Sequence, residues 1–113
     1  MANTFKVATK AGVTSSDVIY TVASGTAVVI GLVLGNTTGS QVTATVSLVS
    51  DTANRTNAND EQNQTVELIT SAPIPSGSSL SPLDGKIVME ATDNITVSAS
   101  GAVDVILSIM EIT

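Results

Sequence analysis

The chain predicts an all-β fold: a single antiparallel β-sandwich or jelly-roll-like domain of roughly seven to nine strands. Three observations predict it. Apolar residues recur at every second position in short runs, the period of strands whose side chains alternate between two faces. The runs are bounded by Ser-Gly, Asn-Thr-Thr-Gly-Ser and Thr-Asp-Asn clusters, residue types that turn a chain. No segment carries a helical period, and with charged residues at 12% there is too little Glu and Lys to solvate exposed helix faces.

Taken in order, residues 1–16 read as an N-terminal arm. Within it, 4–9 (TFKVAT) alternates weakly enough for a first edge strand, and Lys10–Asp17 (KAGVTSSD) is loop chemistry. Val18–Ala23 is a strand closed by Ser24-Gly25. Ala27–Leu34 (AVVIGLVL) is apolar on both parities, which predicts a strand buried on both faces by a second sheet or by a neighbouring subunit. After a turn at Asn36–Ser40 comes the cleanest alternation, Val42–Val49. Val42, Ala44, Val46 and Leu48 share one face, and Thr43, Thr45 and Ser47 share the other.

Asp51–Gln64 (DTANRTNANDEQNQ) holds no apolar residue larger than Ala and predicts an exposed polar loop. Thr65–Ile69 resumes a strand. Ala72–Leu83 carries all three prolines, each lacking a backbone donor, so it crosses between sheets or runs along an edge. Asp84–Thr113 closes the chain with the runs Ile87–Glu90, Ile95–Ala99 and Val103–Ile112, expected as an antiparallel meander within one sheet. In the last run Val103, Val105, Leu107 and Ile109 share one parity, while Ile106, Met110 and Ile112 share the other. Either this strand is central in its sheet or its second face meets another subunit. Ile106, Met110 and Ile112 are therefore the candidate oligomer or partner interface. Asp104 and Glu111 interrupt the run.

At 113 residues the chain supports one domain spanning 1–113, and at 42% hydrophobic it can fill a core. Phe5 and Tyr20 are the two aromatic residues, so Val, Ile, Leu and Ala must build that core. The formal net charge of −6 sets ten acids against Lys6, Lys10, Arg55 and Lys86. These four are scattered and form no patch for phosphates, which argues against nucleic acid as a partner. Ala27–Leu34 is far shorter than the roughly 20 residues of a membrane helix, and MANTFKVATK lacks the apolar stretch of a signal peptide.

Chemistry is scarce. Without His or Cys the chain lacks the commonest general base, the thiol nucleophile and the best transition-metal ligands. Asp84, Glu90 and Asp93 cluster in sequence, but at turns, where solvated acids are ordinary. A glycosidase site would also need a sugar cleft, and aromatic residues to line one are missing. Asp51, Asn54, Asn57, Asn59, Asp60 and Glu61 offer oxygens to Ca²⁺ without the spacing or the glycine of an EF-hand loop. The sequons at Asn36, Asn54, Asn63 and Asn94 follow from a composition rich in Asn and Thr. The expectation is a protein that is not an enzyme and has no cofactor or metal site.

The words VVIGLVLGNTT, APIPSGSSL, KIVMEATDNITVSAS and VDVILSIMEIT, in that order over residues 18–113, resemble small β-sandwich virion proteins of tailed phages, especially those of marine and cyanobacterial hosts. The resemblance implies a structural protein present in many copies on a virion assembled in the host cytoplasm. It would be a capsid decoration or cement protein, or a tail, neck or collar component, bound to its own copies and to capsid or tail proteins. It rests on no catalytic motif and transfers no functional residue. A module of a different class, an Ig-like host-recognition domain, would require an aromatic platform or ions in its loops.

Overall fold

The structure, a computed structural model, describes residues 2–50 and 64–112. Among the described residues nine strands follow one another: β1 (Asn3–Val13), β2 (Asp17–Thr21), β3 (Thr26–Asn36), β4 (Val42–Val49), β5 (Thr65–Ile74), β6 (Ser79–Leu80), β7 (Ile87–Glu90), β8 (Asn94–Ala99) and β9 (Val103–Ile112). They form two antiparallel sheets. Sheet I has the order β1-β9-β3, with β6 and β7 both on the far edge of β3; sheet II has the order β2-β8-β4-β5. β4 and β5 form a hairpin whose base is closed by Ser50 N–H on the Gln64 carbonyl at 2.7 Å. Residues 51–63, which hold all of the expected polar loop except Gln64 and all six oxygen donors considered for Ca²⁺, lie outside the described residues.

β6 and β7 are two halves of one interrupted edge strand. β7 pairs with Thr26–Val29 and β6 with Leu34–Gly35, both antiparallel. Between them Ser81–Lys86 (SPLDGK) leaves the ladder, where Pro82 has no N–H to give and Asp84-Gly85 turns the chain. Counted as one, they leave eight strands in two four-stranded sheets with the orders 1-9-3-6/7 and 2-8-4-5. That is the jelly-roll topology of two interlocked Greek keys.

This topology corrects the expected closing meander. β7 and β9 both pair with β3 in sheet I, whereas β8 lies in sheet II between β2 and β4. The turns at 91–93 and 100–102 arch from one sheet to the other instead of closing hairpins. The period of two is right for each strand, but it does not say which strand pairs with which. Two other expectations also change. Residues 1–16 are not a free arm: β1 runs two-thirds of that length and pairs with β9 from Asn3 to Val13. And within one chain β3 is buried on one face only, so of the two alternatives for its second face a covering sheet of the same domain is ruled out and a neighbouring subunit is left. Its bulge between Val29 and Gly31 keeps Ala27, Val29, Leu32 and Leu34 in the core while Ile30 and Val33 stay exposed.

The core lies between the sheets. Val29, Leu32, Leu34, Val105, Leu107 and Ile109 from sheet I face Val42, Ala44, Val46, Ile95 and Val97 from sheet II, all buried. The alternation of β4 holds as expected, with Thr43, Thr45 and Ser47 pointing away from the core. The Pro-rich stretch does what its missing donors allow. Pro73 sits in β5, an edge strand, and residues 75–78 cross from sheet II to sheet I.

Polar residues fasten the arches. Asn36 is buried, and its Nδ2 donates to the carbonyls of Ser40 (2.8 Å) and Ile74 (2.9 Å) while its Oδ1 accepts Thr38 N–H (2.9 Å). Its amide nitrogen is thus fully engaged within the fold. Asp93, expected as a solvated acid, is buried as well. Its Oδ2 accepts Glu90 N–H at 3.0 Å and its carbonyl accepts Val22 N–H at 3.0 Å, closing the arch between β7 and β8 against the end of β2.

Candidate functional site

Each sheet has one face in the core and one facing outward, and the two outward faces differ in chemistry. On sheet II the outward rows are hydroxyls: Thr45 stands beside Ser98, and Ser47 beside Thr96. The exposed valines of that sheet, Val18 and Val66, stand apart on its two edge strands, β2 and β5.

On sheet I, register builds an apolar surface. Met110 of β9 lies opposite Phe5 of β1 on one side and Val28 of β3 on the other, and Val28 lies opposite Val88 of β7. Phe5, Met110, Val28 and Val88 thus form one row across four strands, with Phe5 73% and Val88 63% exposed. Two residues further along lies the row Val7, Ser108, Gly31, and beyond it Thr9, Ile106, Val33. Ile106 is 48% exposed. Cross-strand neighbours on one face touch, so the patch is continuous. None of these ten side chains is ionisable; charge begins outside them, at Asp104 and Glu90.

The expected interface residues are therefore brought together, but not equally. Ile106 and Met110 occupy the middle strand of the patch. Ile112 sits at its end, half-buried, between Asn3 and Thr26. β9 is central in its sheet and still turns one apolar parity outward, so the two alternatives drawn from its sequence are not exclusive. Sequence reasoning missed Phe5, Val7, Val28 and Val88. The available signal was the second parity of Ala27–Leu34 and the presence of the chain's only Phe in an otherwise polar N-terminal stretch.

The edge strand beside the patch is guarded against pairing. Lys6 and Lys10 of β1 stand opposite Ile109 and Val105, so they point toward the core side, and β1 is bulged between Lys10 and Val13. Gly12 takes a φ of 68° there, and its N–H is held by Asp104 Oδ1 at 3.0 Å. Inward-pointing charges and bulges are how sheets discourage edge-to-edge addition. Sheet I thus resists strand addition along its β1 edge. Lys6 also pairs with Glu111 at 3.1 Å, and Glu111 accepts the Tyr20 hydroxyl from sheet II.

A hollow of about 250 Å³ opens at the far side of the patch, where the edge strand is interrupted. Its walls include Ile30, Gly31, Val33, Leu83 and Lys86. Among the described residues no three His, Cys, Asp or Glu side chains converge on a point that could hold a metal, and no helix is long and apolar enough to cross a membrane.

What fold and surface define together is a two-faced jelly roll, hydroxyl-rich on one side and apolar on the other. No protein-family model matches the chain, and no curated protein matches it. Among solved structures it is similar to a chain from Bacillus endospore appendages, which are described as a novel family of disulfide-linked pili. The TM-score is 0.44 and the identity 16%, over 97% of this chain and 86% of that one. A likeness that distant carries no argument about function.

Proposed function

We propose that the chain is a structural protein of a tailed-phage virion, a capsid decoration or cement protein that works by burying the outward face of sheet I against neighbouring subunits. The observation that carries the reading is the unbroken row Phe5, Met110, Val28, Val88, set on the opposite side of the molecule from a hydroxyl-faced sheet. Jelly rolls serve viral capsid and lectin domains alike, so the fold does not choose between them. The two unlike faces support the first, because a building block needs a dry face for its neighbours and a wet face for solvent. The resemblance of its word order to small phage virion proteins supports the particle to which it would belong.

The mechanism is association by apolar burial, amplified on a particle because each copy makes the same contact many times. Cryo-electron microscopy of virions from a phage carrying this chain is the test. Density for the jelly roll on the capsid surface, lost when Ile106→Asp is introduced, is the expected result. Density confined to the tail or neck would move the protein to that station. A virion without the chain would end the structural reading.

A further inference from the structure

Resting on that reading, we infer that the neighbour buried against sheet I is a second copy of this chain, packed face to face about a two-fold axis, with a ridge of each copy seated in a groove of the other. The ridge is the row Phe5, Met110, Val28, Val88, bulky at all four strands. The groove is the next row. Val7, 63% exposed, closes it at β1; its two central positions are Ser108 and Gly31, and it runs out into the hollow beside Leu83 and Lys86. Beyond it the surface rises again at Ile106 and Val33.

Ridge and groove are two residues apart along the strands, roughly 7 Å. A two-fold axis lying parallel to the rows and midway between them exchanges one for the other. That is the self-complementarity an isologous interface requires. In such a pair Met110 of each copy covers Ser108 of the other, Val28 covers Gly31, and Val88 reaches the mouth of the hollow. Sheets so stacked sit about 10 Å apart, as the two sheets inside one jelly roll do.

Two further observations favour a second copy as the occupant. Phe5 (73% exposed), Val7 and Val88 (63% each), Ile106 (48%) and Val33 (37%) lie in one continuous patch, an apolar surface on the scale of the several hundred Å2 that mark association sites. The chain carries a net charge of −6, so two copies repel wherever their charges meet; yet the two rows themselves hold no ionisable side chain, Lys86 standing only at the hollow where the groove ends, and the contact brings no like charges together at its centre.

Gly31 supplies the discriminating variant. A Cβ at this position would lie 3.8 Å from Ser108 Cβ, an ordinary contact, so a side chain can start here without strain, and Gly31→Val on the outward face fills the groove. Sedimentation velocity across micromolar to submillimolar concentrations, with circular dichroism to confirm the fold, is run on the native chain, Gly31→Val and Ile106→Asp. The expected result is a native dimer, with dimerisation weakened at least about tenfold in Gly31→Val and abolished in Ile106→Asp. A native chain that stays monomeric, or that forms an assembly larger than a dimer, overturns the inference but leaves incorporation into virions to be judged on its own. A dimer that ignores Gly31→Val and is lost in Ile106→Asp overturns the ridge-in-groove packing and keeps the face. A dimer indifferent to both overturns the use of this face altogether.

Discussion

Tyr20 and Glu111 stand 91 residues apart in the chain and meet across the open side of the sandwich, the Tyr20 hydroxyl donating to Glu111 Oε2 at 2.5 Å. One belongs to β2 of sheet II and the other to β9 of sheet I, so the bond ties the sheets together. Lys6 completes the cluster from β1, 3.1 Å from Glu111. The Tyr20 phenol is raised well above its ordinary value by burial first, then by its bond to Glu111 and by that carboxylate's charge. The Glu111 carboxyl is lowered, first by the Tyr20 bond and then by Lys6.

These two shifts limit stability at opposite ends of the pH scale. The unfolded phenol ionises near pH 10 while the folded one resists. Stability from Tyr20 is therefore complete below about pH 10 and is lost as the pH rises above it. Glu111 contributes fully above the ordinary carboxyl range, near pH 4.5, and its contribution is lost as the pH falls through the lower folded value. Urea denaturation at stepped pH should show a plateau between the two limbs. Tyr20→Phe should cost about 1 kcal/mol on the plateau and remove the alkaline limb. An alkaline limb that survives the substitution would exclude Tyr20 as its origin.

Asn36 fastens the end of β3 to two other segments at once. Its amide donates to Ser40 and Ile74 carbonyls, and its oxygen accepts Thr38 N–H. Asn36→Ala strands these buried groups and should destabilise the fold by roughly 2–4 kcal/mol. Asn36→Asp should be worse at neutral pH, since it sets a buried carboxylate against two carbonyl oxygens. It should recover partly in acid, where the carboxyl regains a donor. Thermal melts of both variants at pH 7 and pH 4 check the ordering.

The strands were legible because alternation is local. Val42–Val49 shows its faces in eight consecutive residues, and Pro73 announces an edge strand by its missing donor. What was hidden depends on partners far away in sequence. Lys10–Val13 reads as loop, yet it is strand, because Gly12 fits a bulge whose N–H is taken by Asp104, 92 residues on. The arches beside Ala91 and Ser100 use the same residue types as hairpin turns, so the switch of sheets left no mark. Both-parity runs in β3 and β9 announced excess apolar surface correctly. They could not say that the chain leaves this surface uncovered, because a residue that awaits a partner has the same composition as one that has found it. Phe5 joined the patch only through its register with Met110, which no single strand encodes.

Gly101 stands where the arch between β8 and β9 passes against β4. A Cβ there would fall 2.6 Å from Val42 Cγ1, inside contact distance, and Val42 is buried. The neighbouring Ser100 is fixed on both sides, its N–H on the Thr43 carbonyl at 2.9 Å and its Oγ accepting Thr43 N–H at 2.9 Å, so the arch cannot drift away. Gly101→Ala should destabilise by roughly 1–3 kcal/mol through overpacking. Paired with Val42→Ala, which removes the obstructing methyl, it should cost less than the sum of the two single changes by more than about 0.5 kcal/mol. Additive losses would mean that the arch, and not Val42, limits residue 101.

Ile106 and Leu107 are adjacent on β9 and face opposite ways, Ile106 to the apolar patch and Leu107, fully buried, to the core. The same substitution at each therefore separates self-association from folding. Leu107→Asp puts a carboxylate beside Leu32 within the buried core and should leave the chain unfolded at neutral pH. Ile106→Asp changes a side chain already half in water and should alter stability by less than about 1 kcal/mol. Its neighbours in the patch, Thr9 and Val33, carry no charge to repel it. Circular dichroism and urea midpoints of the two variants decide the matter. If Ile106→Asp also fails to fold, the outward parity of β9 is needed within one chain. If it folds with the native midpoint, that parity is surplus to the monomer, and a surplus apolar row is what an assembling subunit has to offer its neighbours.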